Sequence, residues 1–215
     1  MNVLLYKYTP DPDKTCAEAA AMCTGFTGDP IKALKGAMAS GHESVAEHAS
    51  FTFVIEGVSR VLLAQLTRHR LASFSVQSQR YCGAEPEDVV IPESIKAKHL
   101  GGNMTMLMTR IAGTYQALLD EGVPEEDARF ILPQGITTRL MMTANARELR
   151  HFFSLRCCNR AQWEIRELAD EMLRQCKQVA PVLFEKAGAG CVRGKCPEGA
   201  RGCGHGRGAT EETRS

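Results

Sequence analysis

Between Gly57 and Ala84 the chain carries Arg60, Arg68, Arg70 and Arg80 and no aspartate or glutamate. Inside that span, Arg68-His69-Arg70-Leu71-Ala72-Ser73-Phe74-Ser75-Val76-Gln77-Ser78-Gln79-Arg80 holds three arginines, a histidine and three serines in thirteen residues. A solvated helical face usually mixes charge signs, and a lone buried charge is very costly. The segment therefore has to fold where an anion can reach it. A second acid-free span, residues 128–146, contains Arg129 and Arg139 and is followed directly by Arg147. With a formal net charge of +1 over 215 residues, nothing global favours nucleic acid or a membrane surface. Two positive segments in a neutral protein point to a discrete anionic ligand.

Flanking patterns place the run. Ser50 to Glu56 alternates, with Phe51, Phe53 and Ile55 on one face, the period of a half-buried strand. Gly57 is expected to end that strand and Ser59 to cap a helix through Thr67, which puts the arginines at a helix-to-extended junction. Upstream, Asn2 to Tyr8 reads as a strand, and Asp29-Pro30 as an N-cap with proline at the first helical position of a segment closed by Gly41. Beyond Pro92 a long helix is expected, interrupted by Gly101-Gly102, then a short helix over 125–132 and a strand over 136–143. Asn145 starts another helix, and a last one spans 162–186, with Pro181 expected to kink it. Strands interspersed with unequal helices make a mixed α+β domain rather than a βαβ series.

At 44% hydrophobic and 24% charged residues, the chain can bury one sizeable core. It has no apolar run of membrane-spanning length, and its first residues lack the pattern of a secretory leader. A cytoplasmic location is expected. Nine cysteines are unevenly placed, which favours reduced thiols over a disulfide framework. Residues 188–215 hold eight glycines and almost no large apolar side chain, so they read as a flexible tail behind a domain of residues 1–187.

Arginine presents a planar fork that matches phosphate oxygens, and serine hydroxyls with turn amides complete a phosphate cradle. The competing structural explanation is that Arg68 and Arg70 only interact with a helix C-terminus, worth roughly 0.3–1 kcal/mol. Arg156 gives a second clue. On a helix from Asn145, it shares a stripe with Leu149 and Phe152, while Arg147, Arg150, His151 and Ser154 take the other. A guanidinium on an apolar stripe needs a partner, either an internal carboxylate such as Glu164 or a ligand.

The strings Arg68-His69-Arg70-x-x-Ser73 and Ser78-x-Arg80-Tyr81, with Gly41-His42-Glu43-Ser44 upstream and Asn145-Ala146-Arg147 and Ala161-Gln162-Trp163-Glu164-Ile165 downstream, resemble the flavin-dependent thymidylate synthases over about residues 1–187. The resemblance implies an α+β fold with an antiparallel or mixed sheet flanked by helices. It also implies a homotetramer whose active sites are shared between subunits. The implied reaction is methylation of deoxyuridylate (dUMP) to thymidylate. The one-carbon unit comes from 5,10-methylenetetrahydrofolate and the reducing equivalents from NADPH through FAD, and tetrahydrofolate is released.

The same resemblance implies roles for individual residues. Gln65, Arg68, Ser78, Gln79, Arg80 and Arg129 match nucleotide-binding positions, with Ser78 to Arg80 reaching a neighbouring subunit's nucleotide. His42, Ser44, Arg68, His69, Arg70, Asn145, Arg147 and His151 match flavin-contacting positions, and Glu47 is expected near the flavin. Arg156 matches the arginine that contacts the uracil and favours its ionised N3 form. Ser75-Val76 departs from the family's frequent Asn-Glu, so Val76 can contribute only backbone contacts, and Gln77 is the residue placed to compensate.

Other chemistries weigh less. No Ser-His-Asp arrangement is legible around Ser78, and Cys82, Cys157 and Cys158 read as small buried hydrophobes rather than nucleophiles. The tail's Cys191, Cys196, Cys203 and His205 lack a Cys-x2-Cys knuckle, and no metal site is assigned. An RNA-binding module would need more than 6% aromatic residues and a basic stripe. A flavin reductase would have no use for Ser78, Arg129 and Arg156 together.

Overall fold

A computed structural model describes residues 1–82 and 88–207. The last two residues of the first acid-free span, Gly83 and Ala84, and residues 208–215 of the terminal segment lie outside the described residues. In chain order the elements are β1 (Asn2–Tyr8), α1 (Pro12–Thr24), α2 (Pro30–Ala39), β2 (Ser50–Ser59), α3 (Arg60–Leu66), β3 (Ser73–Val76), α4 (Glu93–Lys96), α5 (Gly101–Asp120), α6 (Glu125–Ala128), β4 (Thr137–Asn145), α7 (Ala146–Arg156) and α8 (Trp163–Val179). The strands form one sheet in the order β1-β2-β4-β3, and the class is α+β as expected. The chain resolves into two compact units, one of residues 1–2, 55–68 and 75–141, the other of residues 3–54, 69–74 and 142 onward.

In the first unit, Ile55, Val58, Leu62, Leu66, Met108, Ile136 and Leu140 are buried. The Ser59 hydroxyl accepts from the Leu62 amide at 3.0 Å, capping α3. Arg60 and Val61 amides donate to the carbonyls of Ile136 and Gln134, each at 3.2 Å, tying the start of α3 to the approach of β4. Gly57 does not end β2, contrary to the sequence reading: the strand continues to Ser59 with Gly57 at φ +67°. An added Cβ would meet only the Met1 backbone, at 3.6 Å, so the dihedral rather than crowding demands glycine. The expected interruption of the long helix falls between α4 and α5, where His99 takes φ +58°.

The second unit is built on an aromatic ladder. Phe51 packs edge-on to Phe184 at 5.4 Å and Phe184 edge-on to Phe153 at 5.9 Å, while Phe153 and Phe152 meet tilted at 5.5 Å. Asp29 caps α2 through the Ile31 amide, and Asn145 caps α7 through the Glu148 amide at 2.9 Å. Two sequence expectations are corrected here. The last helix ends at Val179 instead of running through a kink to Lys186, because Pro181 lacks an amide and disfavours helix at the residue before it. The Val182 and Leu183 amides instead donate to the Asp13 carboxylate, at 2.8 and 2.9 Å. Arg150, placed by spacing on a polar stripe, is 5% exposed. It donates to the Leu183 carbonyl at 2.6 Å and pairs with Glu43 at 2.8 Å, because α7 is covered both by α8 and by the 3-10 turn Glu43–His48.

The Gly-rich segment is packed through Arg207. Ala187 and Ala189 are buried, Arg160 reaches the Glu198 carboxylate and the Arg201 carbonyl, each at 2.8 Å, and Arg207 pairs with Asp170 at 2.6 Å. All nine cysteines are free thiols.

Candidate active site

The first unit contains a polar basin of about 320 Å3 lined by Arg60, Gln77, Ser78, Gln79, Cys82, Asp88, Ile136, Thr137, Thr138 and Arg139. Arg60 opens α3, where a cation opposes the positive end of the helix dipole, so its position needs another cause. One of its terminal nitrogens lies 3.5 Å from the Gln77 carbonyl. Its Nε is buried with no hydrogen-bond partner among the described residues, as is the Thr138 hydroxyl. Burial, with the Arg129 cation nearby, holds the Arg60 guanidinium below its ordinary range. The Gln77 amide donates to the Arg139 carbonyl at 3.0 Å, which fixes the strip carrying Ser78 and Gln79. Ser78 accepts from the Arg80 amide at 3.2 Å. Arg80 itself pairs with Glu126 at 2.7 Å, both side chains about half exposed, and Arg129 Nε donates to the Glu126 carbonyl at 3.0 Å. Buried donors without partners are expensive, and an anion with several oxygens fits this set.

The second unit holds a buried relay. From α7, Glu148 turns inward and is 5% exposed, as is His69. The Glu148 carboxylate lies 3.2 Å from His69 Nδ1, and Arg156 Nε donates to His69 Nε2 at 3.1 Å. Since Nε2 accepts, the ring proton belongs on Nδ1, which donates to Glu148. His69 is held neutral: burial, reinforced by the Arg156 and His151 charges, lowers its pKa to about 4. Burial raises the Glu148 carboxyl, with His151 acting in the opposite direction. The His69 ring stands edge-on to Phe152 at 4.9 Å and 6.1 Å from the His151 ring.

His42, Ser44, Glu47, Arg68, Arg70, Arg147 and His151 are exposed, with Arg147 in an ion pair with Glu47. Gln65, Val76 and Arg156 are partly buried, and Gln65 donates to the Val61 carbonyl at 3.4 Å. The Asn145 side-chain oxygen is committed to the helix cap. Glu164, the alternative partner weighed for Arg156, is 3% exposed. Arg60 and Arg139 lie in the two acid-free spans without an individual role assigned from sequence, and Thr138 and Glu148 are absent from the expected site. A cation at the first position of a capped helix was the available signal for Arg60, and Asn145-x-x-Glu148 reads in sequence only as a capping box.

Burial pushes the Cys157 thiol up, which suits a packed hydrophobe. Cys191, Cys196, Cys203 and His205 line a cavity of about 700 Å3 with Cys158 and Asn159. Among the described residues no three His, Cys, Asp or Glu side chains are placed to hold a metal ion.

Residues 4–182 match the family model described as thymidylate synthase complementing protein. The chain is 49% identical to a flavin-dependent thymidylate synthase of Geobacter sulfurreducens, over 95% of this chain and 94% of that one. It is 43% identical to one from Clostridium tetani, over 95% and 93%, and 47% identical to one from Pyrococcus furiosus, over 92% and 90%.

Proposed function

The chain belongs to the flavin-dependent thymidylate synthases, and on that premise we propose that its two polar centres divide the handling of one substrate, dUMP. The reaction is the reductive methylation of dUMP to thymidylate, with 5,10-methylenetetrahydrofolate as carbon donor and NADPH as reductant through FAD. The observation that carries the nucleotide assignment is the basin that gathers Arg60, Ser78, Gln79 and Arg139, with the Arg60 Nε lacking a hydrogen-bond partner among the described residues. Phosphate oxygens would pair with the Arg60 guanidinium, aided by Ser78, Gln79, Arg139 and Arg129. Gln77 contributes to this strip, and Gln65 and Arg68 bind the nucleotide from the end of α3. Arg80 is assigned to the same phosphate, which requires it to exchange Glu126 for the ligand.

Arg156 acts at the base. Uracil C5 becomes nucleophilic only as electron density moves into the ring, and a fixed guanidinium beside N3 and O2 stabilises the charge that develops there. Permanent ionisation suits arginine to this work, since no proton needs to be managed at the stabilising group.

The exposed set His42, Ser44, Arg68, Arg70 and Arg147 has the cations and hydroxyl that a dinucleotide's diphosphate requires. Glu47, which pairs with Arg147, is assigned to the flavin with it, and Val76 is assigned to the flavin through its backbone. Asn145 and His151 present α7 to it. With both ring nitrogens taken inside the chain, His69 is left to meet a flavin through its ring edge. Bound FAD supplies the hydride chemistry. In the proposed homotetramer, the basin of one subunit serves a nucleotide held by Arg156 of a neighbour. No described helix is long and apolar enough to cross a membrane; a cytoplasmic location and small-molecule partners are part of the same proposal. Residues 1–187 are proposed to hold all of these functions, with 188–215 as an appendage.

The test is incubation with FAD, NADPH, methylenetetrahydrofolate and dUMP tritiated at C5. Tritium release with thymidylate formation is expected; loss of both would overturn the proposal, and bound flavin without turnover would leave a reductase. Arg156→Ala is expected to retain FAD and lose turnover, and normal activity in that variant would remove Arg156 from the site.

A further inference from the structure

We propose that Glu148 is a positioning residue for Arg156, acting through His69: its carboxylate fixes the imidazole in the Nδ1-protonated form, which leaves Nε2 as the acceptor that aims the guanidinium. The inference rests on the reading of Arg156 as the cation at the base. The geometry is continuous, from the Glu148 carboxylate 3.2 Å to Nδ1 and from Nε2 3.1 Å to Arg156 Nε.

The local helix physics makes this use of Glu148 costly. Glu148 is the third residue of α7, where a carboxylate would ordinarily stay in water and favour the positive end of the helix. Here it is buried, and burial raises its carboxyl. A buried carboxylate facing a neutral imidazole is poor value as a stabilising pair. It is good value as a tautomer lock. If the proton moved to Nε2, a ring N–H would face the Arg156 N–H, donor against donor, and the guanidinium would have to turn away. Phe152, edge-on at 4.9 Å, keeps the ring from escaping by rotation. Arg156, at the C-terminal end of α7, is thus referenced to the helix's own first turn through a ring delivered by residue 69.

The experiment compares Glu148→Leu, which removes the acceptor at similar volume, with Glu148→Gln, whose carbonyl oxygen can still accept from Nδ1–H. In wild-type enzyme at neutral pH, the 15N signals of the His69 ring are expected to show a protonated Nδ1 and an unprotonated Nε2. That measurement needs no turnover, so it tests the lock even if the assignment of Arg156 to the base were wrong. In Glu148→Leu the ring is expected to lose this fixed form, and kcat to fall by about a hundredfold, the scale of a misplaced reacting group. KM for dUMP is expected to change less than about threefold, because the phosphate contacts that anchor the nucleotide are untouched. Glu148→Gln is expected to keep the wild-type tautomer and most of kcat. The proposal is overturned by an Nε2-protonated ring in the wild type, by full kcat in Glu148→Leu, or by Glu148→Gln losing as much kcat as Glu148→Leu. Should Glu148→Leu fail to fold, the wild-type spectrum and Glu148→Gln still decide it.

Discussion

Arg60 and His69 are both charged-type residues withdrawn from water, and they respond to burial in opposite ways. Arg60 cannot give up its proton, so it keeps its charge beside a basin that an anion can enter. Arg60→Met is expected to weaken dUMP binding by about ten- to a hundredfold, the worth of a charged hydrogen bond. Titration calorimetry would check this, and unchanged affinity would remove Arg60 from the phosphate site. His69 instead becomes neutral, and its pKa of about 4 lies below the ordinary 6.5. The unfolded chain therefore takes up a proton that the folded one refuses. This contribution to stability is complete above pH 6.5 and is lost as pH falls toward about 4, by roughly 3 kcal/mol for a group acting alone. Glu148, raised by burial, works against it, since its protonation favours the folded state as pH falls. Urea midpoints at pH 7 and pH 5 should drop more for wild type than for His69→Gln; equal drops would contradict a neutral buried ring. The sequence made His69 legible as a member of the arginine run, but not as a buried link, because its two partners come from 79 and 87 positions away.

Among the elements, α7 carries the most. Its cap, its relay residue and its terminal arginine lie on one eleven-residue helix, so its first turn sets the place of its last side chain. Asn145→Ala is expected to cost about 1 kcal/mol of stability, readable as a shifted denaturation midpoint, and no change would mean that the cap contributes nothing. The start of this helix was legible because an Asn cap is a local signal. Its buried Arg150 was not, since helical spacing divides a surface into stripes without saying how many neighbours cover them. Strand β2 shows the same division. Its alternation and the Ser59 cap are local and were readable, whereas the continuation through Gly57 depends on a left-handed dihedral that composition leaves open. Pro181 likewise announced a disruption; that it ends α8 rather than bending it follows from the Asp13 carboxylate, which offers the freed amides a better partner.

At the scale of the whole molecule, a near-neutral net charge conceals strong local separation. The order of the motifs identified the family, but their assembly into a basin and a relay depends on long-range pairing that no short window contains. The basin that sets Arg60 and Arg139 against the same small volume has a consequence for how the protein endures. The Arg129 cation also acts on Arg60, and an anion bound beside Arg60 offsets that repulsion only in the folded state. Anything bound solely by the folded state adds RT ln(1 + [L]/Kd), about 2.7 kcal/mol at a hundredfold excess over Kd. Melting temperature is therefore expected to climb with the logarithm of dUMP concentration, and the climb should flatten in Arg60→Met. The substrate is then also a chaperone for its enzyme, and the lifetime of the protein in the cell is tied to the supply of the molecule it consumes.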